Sequence, residues 1–249
     1  MNSVNSTDVS TTCRLHHSSE RTVIVEVQSS DRVAANRIAR EIAARIAAGN
    51  YPFIHDIVPA MTTVGVHYDP HRVDMDSNDK LPYRVVESLL EQIINNSGER
   101  STDTGRVVEI PVCYGGEYGS DLAEVAQHCG LSVDEVVKLH AGELVDVMMI
   151  GFAPGHPYIG FHNEELAIVR RATPRTAVPP GSIGLANRQS VIYPVTLPGG
   201  WNLIGRTPLR MFDPARSEPC LLQAGDKVRF VSIGPAEFDA LNEHAGAVR

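Results

Sequence analysis

Apolar positions in the first part of the chain repeat with two periods. The run RTVIVEV (Arg21–Val27) is β-branched and predicts a strand. After it, Ala34, Ile38, Ile42 and Ile46 recur every four residues. That is the buried stripe of a helix running to about Ala48, capped by Asp31 and stopped at Gly49-Asn50. Two extended runs follow, Phe53–Val58 and Thr62–Tyr68, divided at Pro59. A second helix opens at Asp79. Val85, Val86, Leu89, Leu90, Ile93 and Ile94 form its apolar face, and Asn95–Gly98 ends it. RVVEIPV (Arg106–Val112) is the next strand. The predicted order is β-α-β-β-α-β, a ferredoxin-like arrangement.

The pattern changes beyond the polar stretch Gly98–Gly105, which is the best domain boundary. Two short helices are predicted, one near Asp121–Cys129 and one opened by the capping box Ser132-x-x-Glu135. Leu144–Phe152 reads as a strand. From there to about Ile233, short extended runs (LAIV, SVIYPV, WNLIG, KVRFVSI) are interrupted by proline and glycine, as in a β-barrel or sandwich. PAEFDALNEH supplies a closing helix. The first nineteen residues are polar and lack the apolar core of a signal peptide, so they read as a frayed, dispensable tail. The division is then a disordered tail (1–19), an N-terminal α+β domain (20–104) and a β-rich domain (105–249).

Composition narrows the function classes. The 249 residues are 43% hydrophobic and 21% charged, with a net charge of −8. This is a soluble chain, and the acidic balance argues against nucleic acid as a partner. No apolar run reaches membrane-span length. Cys13, Cys113, Cys129 and Cys220 form no C-x-x-C, so reduced thiols and a cytoplasmic setting are expected, with no metal site.

Candidate chemistry concentrates in the second half. Between Leu166 and Phe212 there are six arginines and no Asp, Glu or Lys. A guanidinium suits carboxylates and phosphates because its donors come in pairs and it never loses its charge. Either these arginines line a cleft that concentrates a small anion, or they pair with acids elsewhere in the fold. Glycine-rich pieces share the window. RQS (Arg188, Gln189, Ser190) offers a cation, an amide and a hydroxyl, and GRTP adds Arg206 and Thr207. The loop GFAPGHPYIG (Gly151–Gly160) has too many breakers for a helix or central strand, and so has a fixed irregular path. It is expected to hold Tyr158 as an aromatic wall facing Arg188, Gln189 and Arg206. His156 has two readings, an acid–base group or an aromatic that shapes the loop. Trp201 is either a ligand wall or core. Ser182, in PPGSIG, lacks the glycine that a nucleophile elbow needs at Pro180. No Walker P-loop and no H-E-x-x-H occurs.

Four motifs, PVCYGGEYGSDLAEVA, GFAPGHPYIG, VPPGSIGLANRQSVIYP and PGGWNLIGRTPLRMFDP, occur in this order. Together they closely resemble the family of 5-oxoprolinase B subunits, also labelled allophanate hydrolase subunit 1, which includes a sporulation-kinase inhibitor. The resemblance implies a cyclophilin-like β-barrel for the second domain. It also implies a partner similar to the 5-oxoprolinase C subunit (allophanate hydrolase subunit 2-like). The implied activity is ATP-dependent opening of the lactam of 5-oxoproline to glutamate, in complex only, with ATP as co-substrate. The alternatives are a subunit acting on allophanate or another small anionic amide, and a non-catalytic histidine-kinase inhibitor. Tyr158, Ser182, Gln189, Tyr193, Arg206 and Thr207 match motif positions and join Arg188 and Ser190 as expected substrate contacts. The resemblance assigns no catalytic residue. His156 stands where the family has phenylalanine, and Val191 where it has glycine.

Overall fold

A computed structural model describes residues 11–75, 81–96 and 105–247. The chain divides into two compact units, Met1–Asp103 and Thr104–Arg249. None of its helices is long and apolar enough to cross a membrane, among the described residues.

The first unit contains β1 (Thr12–Ser19), β2 (Thr22–Gln28), α1 (Arg32–Ala48), β3 (Ile54–Pro59), β4 (Thr63–Tyr68) and α2 (Pro82–Asn95). The four strands form one antiparallel sheet in the order β1-β2-β4-β3. In β2, Val23, Val25 and Val27 face the core and the residues between them do not, the period-two pattern of a sheet covered on one side. Val64, Val66 and Tyr68 of β4 join them. Helix α1 starts where the Asp31 carboxylate accepts the Val33 and Ala34 N–H groups at 2.9 and 3.0 Å. It buries Ala35, Ala39, Ile42 and Ile46, so its stripe lies one residue on from Ala34 and Ile38. Helix α2 starts with proline at its first position and buries Val86 and Leu90. Asp79 lies outside the described residues.

Two expectations for this unit are corrected. Residues 12–19 of the expected tail are a strand. β1 pairs with β2 from Thr12↔Gln28 to Ser19↔Thr22, and Cys13 and Leu15 pack on the core. The signal was weak because only these two apolar residues alternate within a polar run. The ferredoxin-like order is also not formed. The strand read at Arg106–Val112 leaves this unit, and β1 fills the edge beside β2. What remains is a split β-α-β, with β2 and β3 parallel and β4 inserted between them.

The second unit begins with that strand, β5 (Val107–Tyr114), followed by α3 (Leu122–Cys129), α4 (Val133–Ala141), β6 (Leu144–Ile150) and β7 (Pro157–Ile159). Then come β8 (Arg175–Val178), β9 (Ser182–Ala186), β10 (Gln189–Ile192), β11 (Leu197–Gly199), β12 (Asn202–Arg206), β13 (Lys227–Ser232) and α5 (Pro235–Ala247). Seven strands close a barrel in the order β10-β7-β6-β13-β5-β12-β9, and the β9–β10 hairpin completes the ring. Only β5 and β13 pair in parallel. β8 and β11 form a separate two-stranded ribbon. Ile110, Val112, Val147, Ile159, Ile183, Leu185, Ile204 and Phe230 fill the core. Ser132 and Glu135 form the predicted capping box at the start of α4.

Candidate functional site

The Gly151–Gly160 loop is held by its own backbone. The Gly151 N–H donates to the His156 carbonyl and the His156 N–H to the Ala153 carbonyl, each at 3.0 Å. Gly155 has φ +74°, and a Cβ there would lie 2.8 Å from Phe212 Cβ and 2.9 Å from the Met211 carbonyl oxygen. Phe152 also sits in the left-handed region, at φ 72°, and is exposed. The loop feeds β7, where Tyr158 registers with Met149 on one side and Val191 on the other.

This loop forms one wall of a cleft of about 170 Å³. Phe152 and Tyr158 face Tyr193, Trp201 and Arg170, with Pro198–Gly200 along the edge. The Tyr158 and Trp201 ring centroids are 6.3 Å apart in an edge arrangement. Burial pushes the Tyr193 hydroxyl up to about 12, so it stays protonated and can donate a hydrogen bond. His156 is enclosed by Phe152, Tyr158 and Tyr193, with centroids 5.1 to 5.4 Å away. Burial lowers its pKa to about 4. It is therefore a neutral ring near pH 7, which favours the loop-shaping reading over acid–base chemistry.

The six arginines separate. Arg170 lines the aromatic cleft. Arg171 and Arg175 converge on buried Asp121, at 3.3 and 2.6 Å, and Asp121 also accepts the Leu203 N–H at 2.7 Å. These two pair with an acid distant in the sequence, and Arg188 and Arg210 each meet an acid just outside the window, Glu164 and Asp213. Arg188 donates from Nε to the His162 carbonyl at 2.9 Å and lies 3.6 Å from Glu164. It occupies the β9–β10 turn, where Asn187 and Arg188 both have positive φ. Arg206 and Arg210 line a second cleft of about 320 Å³, together with Thr207 and helix α5.

The expected arrangement of the loop opposite Arg188, Gln189 and Arg206 is therefore not the one formed. Tyr158 and Tyr193 share the aromatic cleft, while Arg206 and Thr207 share the other. Ser182 is buried in β9 and, like Arg188 and Gln189, lines neither. Ser190 is enclosed in the barrel. Its Oγ lies 2.9 Å from His140 Nε2 and 2.8 Å from His162 Nε2, and Tyr114 Oη lies 2.7 Å from His140 Nδ1. A serine between two neutral imidazoles has the makings of an activated nucleophile. All three side chains are 0% exposed, however, so substrate does not reach them and the network belongs to the core.

Residues 13–222 match the family described as carboxyltransferase domain, subdomain C and D. The 5-oxoprolinase B subunit of Bacillus subtilis (strain 168) is 40% identical over 212 residues, covering 84% of this chain and 88% of that protein. The one from Escherichia coli O157:H7 is 40% identical over 213 residues, covering 85% and 92%. The chain belongs to the family of 5-oxoprolinase B subunits. Among solved structures, TTHA0988 superposes with a TM-score of 0.73 at 36% identity, and this chain spans only 40% of that longer one. The Kluyveromyces lactis urea amidolyase also gives a TM-score of 0.73, at 16% identity, over 96% of this chain and 16% of that one. At that identity the likeness is one of fold alone.

Within this member of the 5-oxoprolinase family, several residues escaped sequence reasoning. Arg170 was one of six equivalent arginines, with nothing in its spacing to single it out. Phe152 lies in the Gly151–Gly160 loop, but no sequence rule marks a phenylalanine for positive φ. For Trp201 the ligand-wall and core readings both hold, since it lines the cleft yet is only 6% exposed. His140 and His162 come from a helix and a loop whose meeting depends on barrel closure. Among the described residues, no group of three or more His, Cys, Asp or Glu is placed to hold a metal ion.

Proposed function

We propose that this chain is one subunit of an ATP-dependent 5-oxoprolinase, working with a second, cyclophilin-like subunit to open the lactam of 5-oxoproline to glutamate. The observation that carries the reading is the aromatic cleft with its single cation. 5-Oxoproline is a small, flat ring bearing one carboxylate. Tyr158, Tyr193 and Trp201 give such a ring apolar walls, Arg170 meets its carboxylate, and the Tyr193 hydroxyl is a donor for a carbonyl oxygen. The curated relatives are named as subunits of an enzyme with this substrate.

The same cleft supports activity only in complex. A lactam carbonyl is a poor electrophile. Transfer of the γ-phosphoryl of ATP to the carbonyl oxygen converts that oxygen into a leaving group. One water then adds to the carbon, the ring C–N bond breaks with the proton going to nitrogen to leave an acyl phosphate, and a second water displaces phosphate from that carbon, giving glutamate, ADP and phosphate. Proton transfer in these steps needs a general base. The cleft supplies only weak candidates: His156 lines it, but burial lowers its pKa to about 4 and makes it a weak base, and Tyr193 stays protonated. This chain's part is to bind and orient the ring and to exclude water around it, and the second subunit supplies the missing groups.

The test is reconstitution. The chain is co-purified with a partner similar to the 5-oxoprolinase C subunit, and glutamate release from 5-oxoproline and ammonia release from allophanate are each followed with and without ATP. ATP-dependent glutamate release by the complex alone supports the proposal. Turnover by the isolated chain removes the need for a partner, and turnover of allophanate without 5-oxoproline replaces the substrate.

A further inference from the structure

The cleft lined by Arg206 and Arg210, the larger of the two described, has a different chemistry. Its walls include Pro180, Pro194 and Pro208, together with Phe238 from α5. Proline fixes its own φ, so these walls lose little entropy when a ligand is enclosed. The floor is equally constrained. Gly181 has φ +79°, and a Cβ there would collide with the Thr207 carbonyl, so the two backbone segments meet only because position 181 is glycine. The Thr207 N–H donates to the Gly181 carbonyl at 2.9 Å, which ties them together. At about 320 Å³ the cleft lies at the small end of the range of about 300–1,000 Å³ for ligand sites.

The charges at this cleft are unbalanced. Arg206 comes from the end of β12, and its Nε donates to the Pro180 carbonyl at 2.8 Å. That bond orients the guanidinium, and among the described residues no carboxylate lies within salt-bridge distance of its two terminal nitrogens. Arg210 meets Asp213 at 3.4 Å, but Asp213 also lies 4.0 Å from Arg216 and accepts the Ala215 N–H at 3.0 Å. One carboxylate thus serves two arginines. No Asp or Glu lines the cleft; Glu117 and Asp239 act on Tyr118 nearby. Thr207 and Asn242 add polar groups among the apolar walls.

We propose that this second cleft is a phosphoryl-binding site. Two guanidiniums from separate chain positions match a group with three oxygens and up to two negative charges, whereas a single carboxylate would satisfy only one fork. The occupant is either free phosphate or the phosphate end of a nucleotide. The inference does not rest on the lactam reading, because phosphate binding is measured without turnover and at residues outside the aromatic cleft.

Calorimetric titration of the full chain at low salt tests it, with inorganic phosphate, ATP and acetate as separate probes. Saturable binding of phosphate or ATP is expected, with acetate at least tenfold weaker. Arg206→Gln and Arg210→Gln each weaken binding about tenfold, while Arg229→Gln, an exposed arginine on β13, leaves it unchanged. Phosphate binding as tightly as ATP assigns the site to the phosphoryl group itself, and ATP binding alone assigns it to a phosphate ester. Because Arg206 also braces the Pro180 carbonyl, circular dichroism melting accompanies each variant, and Arg210→Gln carries the test if Arg206→Gln unfolds. The proposal is overturned if neither phosphate nor ATP binds, if acetate binds as tightly, or if the folded arginine variants bind like the parent.

Discussion

The Arg170 guanidinium carbon sits 4.7 Å from the centre of the Trp201 ring. The contact holds a cation at the rim of the aromatic cleft, with no carboxylate within salt-bridge distance among the described residues. It also places the chain's only tryptophan where a ligand would be felt. Cation–π contacts at exposed sites contribute about 0.5–1 kcal/mol, so Arg170→Gln should move the melting temperature little. The KM of the reconstituted complex for 5-oxoproline should rise at least tenfold, about 1.4 kcal/mol of binding. Saturating 5-oxoproline should also change Trp201 emission in the parent. An unchanged KM in the variant, or emission blind to substrate, would place the substrate elsewhere.

Three buried histidines of the second unit, His140 and His162 in the barrel and His156 in the Gly151–Gly160 loop, set a pH dependence. His162 and His156 have pKa values of about 4, and His140 lies well below its ordinary value; burial is the main cause in each. In the unfolded chain all three titrate near 6.5. Between these values the unfolded state binds more protons, so acid favours unfolding. The stabilisation is complete above about pH 6.5 and is lost progressively as the pH falls toward 4, with an upper bound of order 3 kcal/mol for each of His156 and His162. Urea midpoints should fall steadily from pH 7.5 to 5, and His162→Gln should flatten part of that slope. A parent protein with the same midpoint across the range would show that these rings do not carry the linkage.

Phe152 joins backbone strain to exposure. A non-glycine residue in the left-handed region costs roughly 1–2 kcal/mol, and a phenylalanine that is 63% exposed recovers little of this by burial. The cost is retained where the ring forms the cleft rim. Phe152→Gly should therefore leave the melting temperature unchanged or raise it, while KM for 5-oxoproline increases. A marked fall in melting temperature would instead make the ring part of the packing.

What was legible in the sequence was local. The Asp31 cap, the Ser132–Glu135 box and the alternating valines of β2 each follow from residues within one turn or one strand. The fate of RVVEIPV was not legible, because alternation identifies a strand but not the sheet it enters. Ile110 and Val112 are buried inside a barrel whose other strands lie up to about 120 residues away. The site divides the same way. Tyr158 and its loop were found from their own glycines and prolines. Arg170 and Arg188 have equal charge and similar settings, and only the turn at Asn187-Arg188 sends one to the His162 carbonyl while the other reaches Trp201.

The edge strand β1 gives the last prediction. It covers β2, whose other neighbour is β4, and places Cys13 and Leu15 on the core of the first unit. Removing it would expose the β2 backbone groups that now pair with β1 along its length, and would leave an open edge able to pair with another chain. It would also uncover part of the apolar surface beneath Leu15, at about 25 cal/mol per Å². A chain beginning at Glu20 should therefore lose stability in its first unit and form aggregates that the full chain does not. Its second unit has its own closed barrel and core and should keep the native Trp201 emission. Thermal melting, light scattering and tryptophan fluorescence on the truncated chain check the three parts. A truncated protein that melts like the parent and stays monodisperse would show that β1 pairs without contributing to the fold.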